Sequence, residues 1–408
     1  MRFILFTALI DMISIGLIIP VLPVWVGHFT HSQAEQALYF GMITFSFSIA
    51  NFFGSPLLGA LSDSVGRRPV LLIGFCGLAI NFFMTALSTT ITVLILARLI
   101  GGVMQSNLSV ANAYVADITP ADQRARQFGL LGAMFGVGFI LGPVVGGLLG
   151  AFSIHLPFYV AGSLALLNLA YGYFVLPESL PVERRSVFHW KNANPLTSLR
   201  ALKNNNGVGP LLVVVAASGL AQFMLYTTWV LYTSFKFGWG PLENGWSLAA
   251  VGFVSALIQG VLLGRLLQRF SPIRLTLFGL LSSTIAYVLW GLATESWMMF
   301  AIIFFNLFGS CVSATLQSII SSSVDAKSQG KTLGLVSGIN SLMAVMAPLI
   351  GAPLLGLVSD LPKGDWRLGT PFYFCAALQA LALVLAILHF RGSHQLTHSS
   401  QVKDPPHG

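Results

Sequence analysis

Long apolar runs alternate with short polar stretches along nearly the whole chain. Six of them cover roughly Phe3–Val26, Leu38–Leu61, Val70–Leu87, Ile91–Val115, Phe128–Leu149 and Phe158–Leu176. A polar stretch from Pro177 to Gly209 follows, and then six more: Leu211–Phe235, Gly245–Leu267, Ile273–Thr294, Trp297–Ser322, Thr332–Val358 and Phe372–Phe390. Each is close to the roughly 20 apolar residues that a helix needs to cross a bilayer. With no water to satisfy the backbone inside hydrocarbon, each run is predicted to be a helix. The first run follows Arg2 and resembles a secretory leader, but Asp11 interrupts it and no small-x-small cleavage site follows. It is therefore expected to be retained as the first span. The pattern predicts an all-α integral membrane protein with twelve transmembrane helices.

The two sets of six runs also resemble each other. A shift of 205 positions places Gly129 on Gly334, Pro143 on Pro348, Gly146 on Gly351, Gly59 on Gly264 and Leu61 on Leu266. Pro157-Phe158-Tyr159 recurs as Pro371-Phe372-Tyr373. Parallel six-helix repeats, with a site at the membrane midplane between them, are a transporter architecture. The organisation read from the sequence is two pseudo-symmetric halves, residues 1–176 and 210–390. A cytoplasmic linker, 177–209, joins them and a cytoplasmic tail, 391–408, ends the chain.

Composition agrees with the pattern. The chain has 408 residues, of which 55% are hydrophobic and 8% charged, against about a quarter charged in soluble domains. A net charge of +8 invites a nucleic-acid reading, but the placement of the charges excludes it. With the N-terminus assigned to the cytoplasm, seventeen of the 21 Lys and Arg fall on that side, and only Lys236, Lys363 and Arg367 on the other. Such a bias orients a multi-pass protein, here with both termini inside. The compact loops lean towards a bacterial cytoplasmic membrane. Cys76, Cys311 and Cys375 lie far apart in apolar runs and are expected to be small buried hydrophobes rather than disulfide partners.

Two formal charges lie well inside the spans, Asp11 and Arg98. A carboxylate near the bilayer centre costs about 2.5–3.5 kcal/mol, so it needs a partner, water or a proton. Burial disfavours the charged form of Asp11, and a nearby Arg98 would favour it. These opposing influences suit a proton carrier; a structural ion pair that never titrates is the alternative. The stretch Gly59-Ala60-Leu61-Ser62-Asp63-Ser64-Val65-Gly66-Arg67-Arg68-Pro69 joins the second and third spans. Gly66 permits a tight turn, Arg67 and Arg68 hold the loop at the cytoplasmic face, and Asp63 suits a helix N-terminus or an arginine. In the fifth span Gly138, Gly142, Gly146 and Gly147 surround Pro143, a spacing that lets helices approach closely.

Enzymatic chemistry finds no support. Gly330-Lys331-Thr332 has the end of a phosphate-binding loop, but Asp325 stands where the earlier Gly is required. No His, Cys and carboxylate set has metal-ligand spacing. No metal or cofactor is expected, protons being the coupling ion. Neutral polar and aromatic residues within spans, Asn51, Asn81, Gln105, Asn107, Gln222, Tyr226, Trp229, Gln259, Asn306, Gln317 and Asn340, serve either as interhelical hydrogen bonders or, facing one cavity, as contacts for an amphipathic organic molecule.

The chain resembles the major facilitator superfamily and, within it, the drug:proton antiporters related to tetracycline-resistance efflux proteins. The resemblance spans nearly the whole length. It rests on Leu9-Ile10-Asp11 with Ile15 to Pro23, the Gly59–Leu72 loop with Asp63, Gly66 and Arg67, Arg98 with Gly102, the Gly138 to Gly147 helix, Leu176-Pro177-Glu178-Ser179 and Asn194-Pro195-Leu196. The resemblance implies that Asp11 is the coupling carboxylate, that Arg98 takes part in proton transfer and that Asp63 and Arg67 gate the cytoplasmic side. It further implies that the Gly138–Gly147 stretch marks an antiporter and that Asn51 stands near a drug-contacting Gln. Two positions depart from it. Asn81 and Ser283 occupy places where tetracycline exporters carry acids, which argues against a cationic metal–tetracycline chelate as substrate.

The expectation is a transporter, functional as a monomer, that exports a small organic molecule in exchange for protons by alternating access. A proton-coupled importer or exporter of a siderophore, nutrient or metabolite is the alternative. A non-transporting receptor or scaffold would not need Asp11 and would usually carry a larger soluble domain.

Overall fold

The computed structural model describes residues 2–190 apart from Ser106 and Ala121, Pro195, and residues 209–401. No β-strand occurs among them. Among the described residues, eleven helices are long and apolar enough to cross a membrane. A bent pair, Ser296–Phe305 and Phe308–Ser322, makes a twelfth span.

The first half runs α1 (Arg2–Ile18), α2 (Leu22–Gly27), α3 (Gln33–Val65), α4 (Arg67–Ala86), α5 (Ile91–Met104), α6 (Asn107–Ile118), α7 (Arg124–Phe152) and α8 (Leu156–Val175). The second runs α9 (Gly209–Phe237), α10 (Pro241–Leu257), α11 (Leu263–Arg269), α12 (Pro272–Leu292), α13 (Ser296–Phe305), α14 (Val312–Ser322), α15 (Ala326–Gly356) and α16 (Thr370–Gln401).

Local chemistry sets several boundaries. Ser32 accepts a hydrogen bond from the Glu35 amide at 3.1 Å, and Glu35 Oε2 accepts from the His31 amide at 2.6 Å. Together they satisfy donors that the start of α3 leaves free. Thr90 and Ser271 cap α5 and α12 in the same way, accepting from Val93 and Arg274.

Four expected spans are interrupted. Phe3–Val26 is two helices, because Pro20 has no amide hydrogen and the chain there tightens to bonds from Ile19 to Gly16 and from Val21 to Ile18. Ile91–Val115 divides after Met104, and Trp297–Ser322 bends by 48° around Asn306. Residues 258–262 form a π-helical turn between α10 and α11. The last helix continues past Phe390 to Gln401, so part of the expected tail is helical. Of the linker, Val182–Arg184 is a 3-10 turn, while Asn194 and Leu196 lie outside the described residues. Cys311 and Cys375 are buried as expected, but Cys76 is exposed. It lies off the face of α4 that buries Leu71, Gly74, Phe75 and Leu78.

The chain divides into two compact units, the first comprising the described residues of Met1–Thr197, Tyr226–Phe253 and Ala344–Leu368. Its core joins Ile4 and Ala8 of α1, Val70, Leu71 and Phe75 of α4, Val110 and Val115 of α6, and Leu131 of α7. The second unit takes the described residues of Ser198–Leu225, Val254–Met343 and Gly369–Gly408. Leu211, Leu280, Leu316, Ile320, Leu335 and Ala382 form its core.

Candidate functional site

Asp11 lies a little past the middle of α1, 7% exposed. It lines a small pocket with Ile4, Thr7, Ala8, Leu71, Phe75, Asn107, Ala111 and Phe135. Arg98 is not among these residues. It is buried on α5, where its Nη2 donates to Thr85 Oγ1 at 3.1 Å and its guanidinium carbon stands 6.0 Å from the Phe47 ring centroid. Thr85 in turn donates to the Asn81 carbonyl at 2.7 Å. Among the described residues neither Asp11 nor Arg98 forms an ion pair. Arg98 Nε and Asn81 Oδ1 are buried without hydrogen-bond partners. The expectation that a neighbouring Arg98 offsets the burial of Asp11 therefore does not match the structure: each charge lies in its own setting.

A denser polar cluster surrounds the turn between α3 and α4. Gly66 has φ +110°, a conformation that a side chain strains, and a Cβ there would stand 2.5 Å from Glu178 Oε2. Arg67 pairs with Asp63 at 2.5 Å and with Asp117 at 3.0 Å, and its Nη1 also donates to Ser62 Oγ at 2.6 Å. Glu178 accepts from the amides of Arg67 at 2.9 Å and Arg68 at 3.2 Å. A carboxylate so placed satisfies free donors at the start of α4 and complements its dipole. Arg68 Nη2 donates to the Tyr173 carbonyl at 2.5 Å. The sequence had marked Asp63, Gly66, Arg67 and Arg68. Asp117 was missed, though an acid near the end of the fourth span was a signal for it. Glu178 was seen only as a local match.

The glycine-rich helix α7 serves two approaches within the first unit. Gly138, Gly142 and Gly146 face α1, where a Cβ on Gly142 would stand 2.6 Å from the Gly16 Cα. Gly147 faces the start of α10 instead: a Cβ there would come within 2.5 Å of the Pro241 carbonyl and 3.2 Å of the Gly245 Cα. The Pro143 carbonyl lies against Gly245.

The expected substrate contacts divide between the units. In the first, Asn81 is buried, Asn51 and Gln105 are half-buried, and Tyr226 is exposed. Trp229 Nε1 donates to Ser247 Oγ at 3.0 Å. In the second, Tyr287 donates to Gln222 Oε1 at 3.4 Å. Asn306 Oδ1 accepts from Ser282 at 3.1 Å and Ser283 at 3.3 Å. Asn340 lies half-buried beside Gly219, whereas Gln259 and Gln317 are exposed. Among the described residues no three His, Cys, Asp or Glu side chains are placed to hold a metal ion.

A bundle of long apolar helices with a buried carboxyl and a charged turn fits a membrane transporter, and comparison with known proteins names its class. The sequence model of the Major Facilitator Superfamily matches residues 4–348 and again 211–406, and the chain belongs to that family. It is 35% identical over 371 residues to the class C tetracycline resistance protein of Escherichia coli, covering 91% of this chain and 93% of that one. Multidrug resistance protein 2 of Bacillus subtilis is 27% identical, over 92% of this chain and 91% of its own. A solved nucleoside transporter superposes with a TM-score of 0.77 at 15% identity, covering 95% of this chain and 98% of that one, and shares the fold. The protein is a multi-pass membrane transporter of small molecules, not an enzyme.

Proposed function

We propose that this transporter exports a drug-like organic molecule in exchange for protons, and that Asp11 takes up and releases the proton. The observation that carries this reading is the setting of Asp11, a carboxyl in an apolar pocket within a span and without a counter-ion among the described residues. Charging it there costs about 2.5–3.5 kcal/mol, so its proton state depends on whether water reaches the pocket. A conformational cycle that wets the pocket from one side and then the other would load and unload it.

Relatives named for tetracycline and multidrug resistance support the outward direction and the drug-like substrate. Asn81 and Ser283, uncharged, favour a neutral or weakly charged molecule over a metal chelate. Arg67, held by Asp63 and Asp117, would gate the cytoplasmic end, and the contacts of Gly147 with Pro241 and Gly245 would seal the other. Arg98 would serve the same half by fixing α5 against α4. The charge bias supports a topology with both termini in the cytoplasm, and the protein would act as a monomer in a bacterial cytoplasmic membrane. One proton falling through about 100 mV releases about 2.3 kcal/mol, enough for roughly a fifty-fold gradient of a neutral solute.

Everted membrane vesicles holding an imposed pH gradient test this reading. Tetracycline with magnesium is added first, then a panel of cationic, neutral and anionic compounds, to wild type and Asp11→Asn. A compound that dissipates the gradient only in wild type supports proton-coupled export and identifies the substrate class. A panel that leaves the gradient intact, with both proteins folded and present in the membrane, sinks drug export.

A further inference from the structure

The pocket around Asp11 contains a second polar group to which proton exchange has so far given no task. Asn107, the first residue of α6, is 2% exposed and lines this pocket. The orientation of its amide follows from its neighbour: Nδ2 donates to the Leu71 carbonyl at 3.4 Å, so Oδ1 is the opposite end. That oxygen is buried and has no partner among the described residues. The amide lies against Gly74, where any Cβ would collide with it. A buried acceptor left without a donor is destabilising.

Few groups in the pocket can supply the missing hydrogen. Thr7 commits its hydroxyl to the Ile4 carbonyl at 2.9 Å. The other lining side chains are Ile4 and Ala8 of α1, Leu71 and Phe75 of α4, Ala111 of α6 and Phe135 of α7, none with a polar hydrogen. Helix α8 also packs on α1 and presents Asn168, whose Nδ2 donates to the Thr7 carbonyl. Tyr114, in the adjoining apolar cluster, donates to the Pro177 carbonyl at 2.9 Å. Among the described residues, Asp11 is thus the one titratable or charged side chain lining the pocket.

We propose that Asn107 is the positioning residue for the coupling proton: its amide oxygen accepts a hydrogen bond from the protonated carboxyl of Asp11, directly or through one water. The cavity, about 10 Å³ measured to a water's centre, is of the size that holds one molecule. Loss of the proton turns the donor into an acceptor and leaves two acceptors sharing the pocket. Asn107 therefore favours the loaded state of Asp11 in this conformation, and release requires the pocket to open to water, which takes the proton. This inference rests on the reading of Asp11 as the proton carrier.

Infrared difference spectroscopy on the full-length protein in detergent, titrated with acid, separates the two. Subtracting Asp11→Asn from wild type isolates the carboxyl band of Asp11. Asn107→Thr and Asn107→Val have the same shape but differ in one hydroxyl, so they separate an acceptor from mere packing. Asn107→Leu, close to asparagine in shape, deletes the acceptor by a second route. The expected result is a hydrogen-bonded carbonyl frequency in wild type and the Thr variant, and a higher, free-carboxyl frequency in Val and Leu. One frequency in all four proteins overturns the role of Asn107 and leaves Asp11 as the carrier. A rise in Val and Leu that Thr fails to restore also overturns it, because repacking then accounts for the change. No titratable Asp11 band in wild type removes the carrier reading, and this inference with it.

Discussion

In the first unit, Asp11 and Arg98 lie buried within spans and, among the described residues, neither forms an ion pair: Asp11 lies in its pocket and Arg98 on Thr85 and Phe47. In the second unit, several neutral polar groups pair with one another: Ser282 and Ser283 on Asn306, Tyr287 on Gln222, and Thr276 on Thr315 at 2.8 Å. The difference separates two uses of polarity inside a membrane. Neutral pairs hold helices together and do not respond to pH. On the proposed reading of Asp11 as the proton carrier, the coupling chemistry belongs to the first unit.

The largest expected break in this comparison comes from Asp11→Asn. The substitution keeps the size of the side chain and removes the only titratable group of the pocket. Proton movement coupled to any transported compound should fall to background in vesicles, while thermal unfolding in detergent stays within about 0.5 kcal/mol of wild type, as for a change that disrupts no bond. A strongly destabilised Asp11→Asn would instead make the carboxyl a structural element.

Next comes Arg67→Ala at the charged turn. It removes two ion pairs and leaves Asp117 with only the Ser179 hydroxyl at 3.2 Å. Hydrogen bonds to charged groups are worth about 1.5–3 kcal/mol, discounted here because Asp63 is half exposed. Transport should fall more than stability, because a gate depends on the fork geometry. Arg67→Lys should restore little, since an ammonium cannot bridge both carboxylates as the guanidinium does. Equal transport by the Lys and wild-type proteins would rule out that geometry as the gate.

Gly142→Ala tests close helix approach. Its Cβ would press on the Gly16 backbone, and overpacking of this kind costs about 1–3 kcal/mol. Gly129→Ala, on the same helix with open space around it, is the control and should be neutral or slightly stabilising. A similar loss of thermal stability in both would make the effect one of the helix rather than of its contact with α1.

How much of this was visible in the residues follows from what each feature depends on. The spans were legible because hydrophobic length is a local property. Asp11 was legible because one carboxylate in an apolar run stands out, and the turn because Gly66 and its arginines are adjacent in sequence. Bends were less so: the break at Ile19–Val21 is marked by Pro20, but the one at Asn306 lies in a run without proline. What the chain could not show was distance across helices. Asp11 and Arg98 looked like a pair because both are rare charges, yet α1 offers Asp11 to α4, α6 and α7. Asn107 was one polar residue among many until its orphaned oxygen and its place beside Asp11 came into view. Asp117 and Glu178 likewise gained their roles only when folding brought them 50 and 111 residues back to Arg67.

The smallest effect is expected from Ser283→Ala, and it bears directly on the second unit. Ser283 donates to Asn306 Oδ1 at 3.3 Å, but Ser282 donates to the same oxygen at 3.1 Å. Removing one of two neutral donors leaves the acceptor satisfied, so the cost should be at or below about 1 kcal/mol, the net worth of one such bond. The bend at Asn306 should persist. Ser283→Asp is the informative counterpart, because it introduces an acid where the resemblance to tetracycline exporters implies one. Two carbonyl-type acceptors would then face each other at the bend, and the new carboxyl would need a proton or a cationic ligand. If the uncharged pair sets substrate choice, Ser283→Asp combined with Asn81→Asp should move vesicle exchange towards tetracycline with magnesium, with no change for Ser283→Ala. Exchange of the metal chelate by the wild-type protein at the rate of the double variant would show that these two positions do not select the substrate.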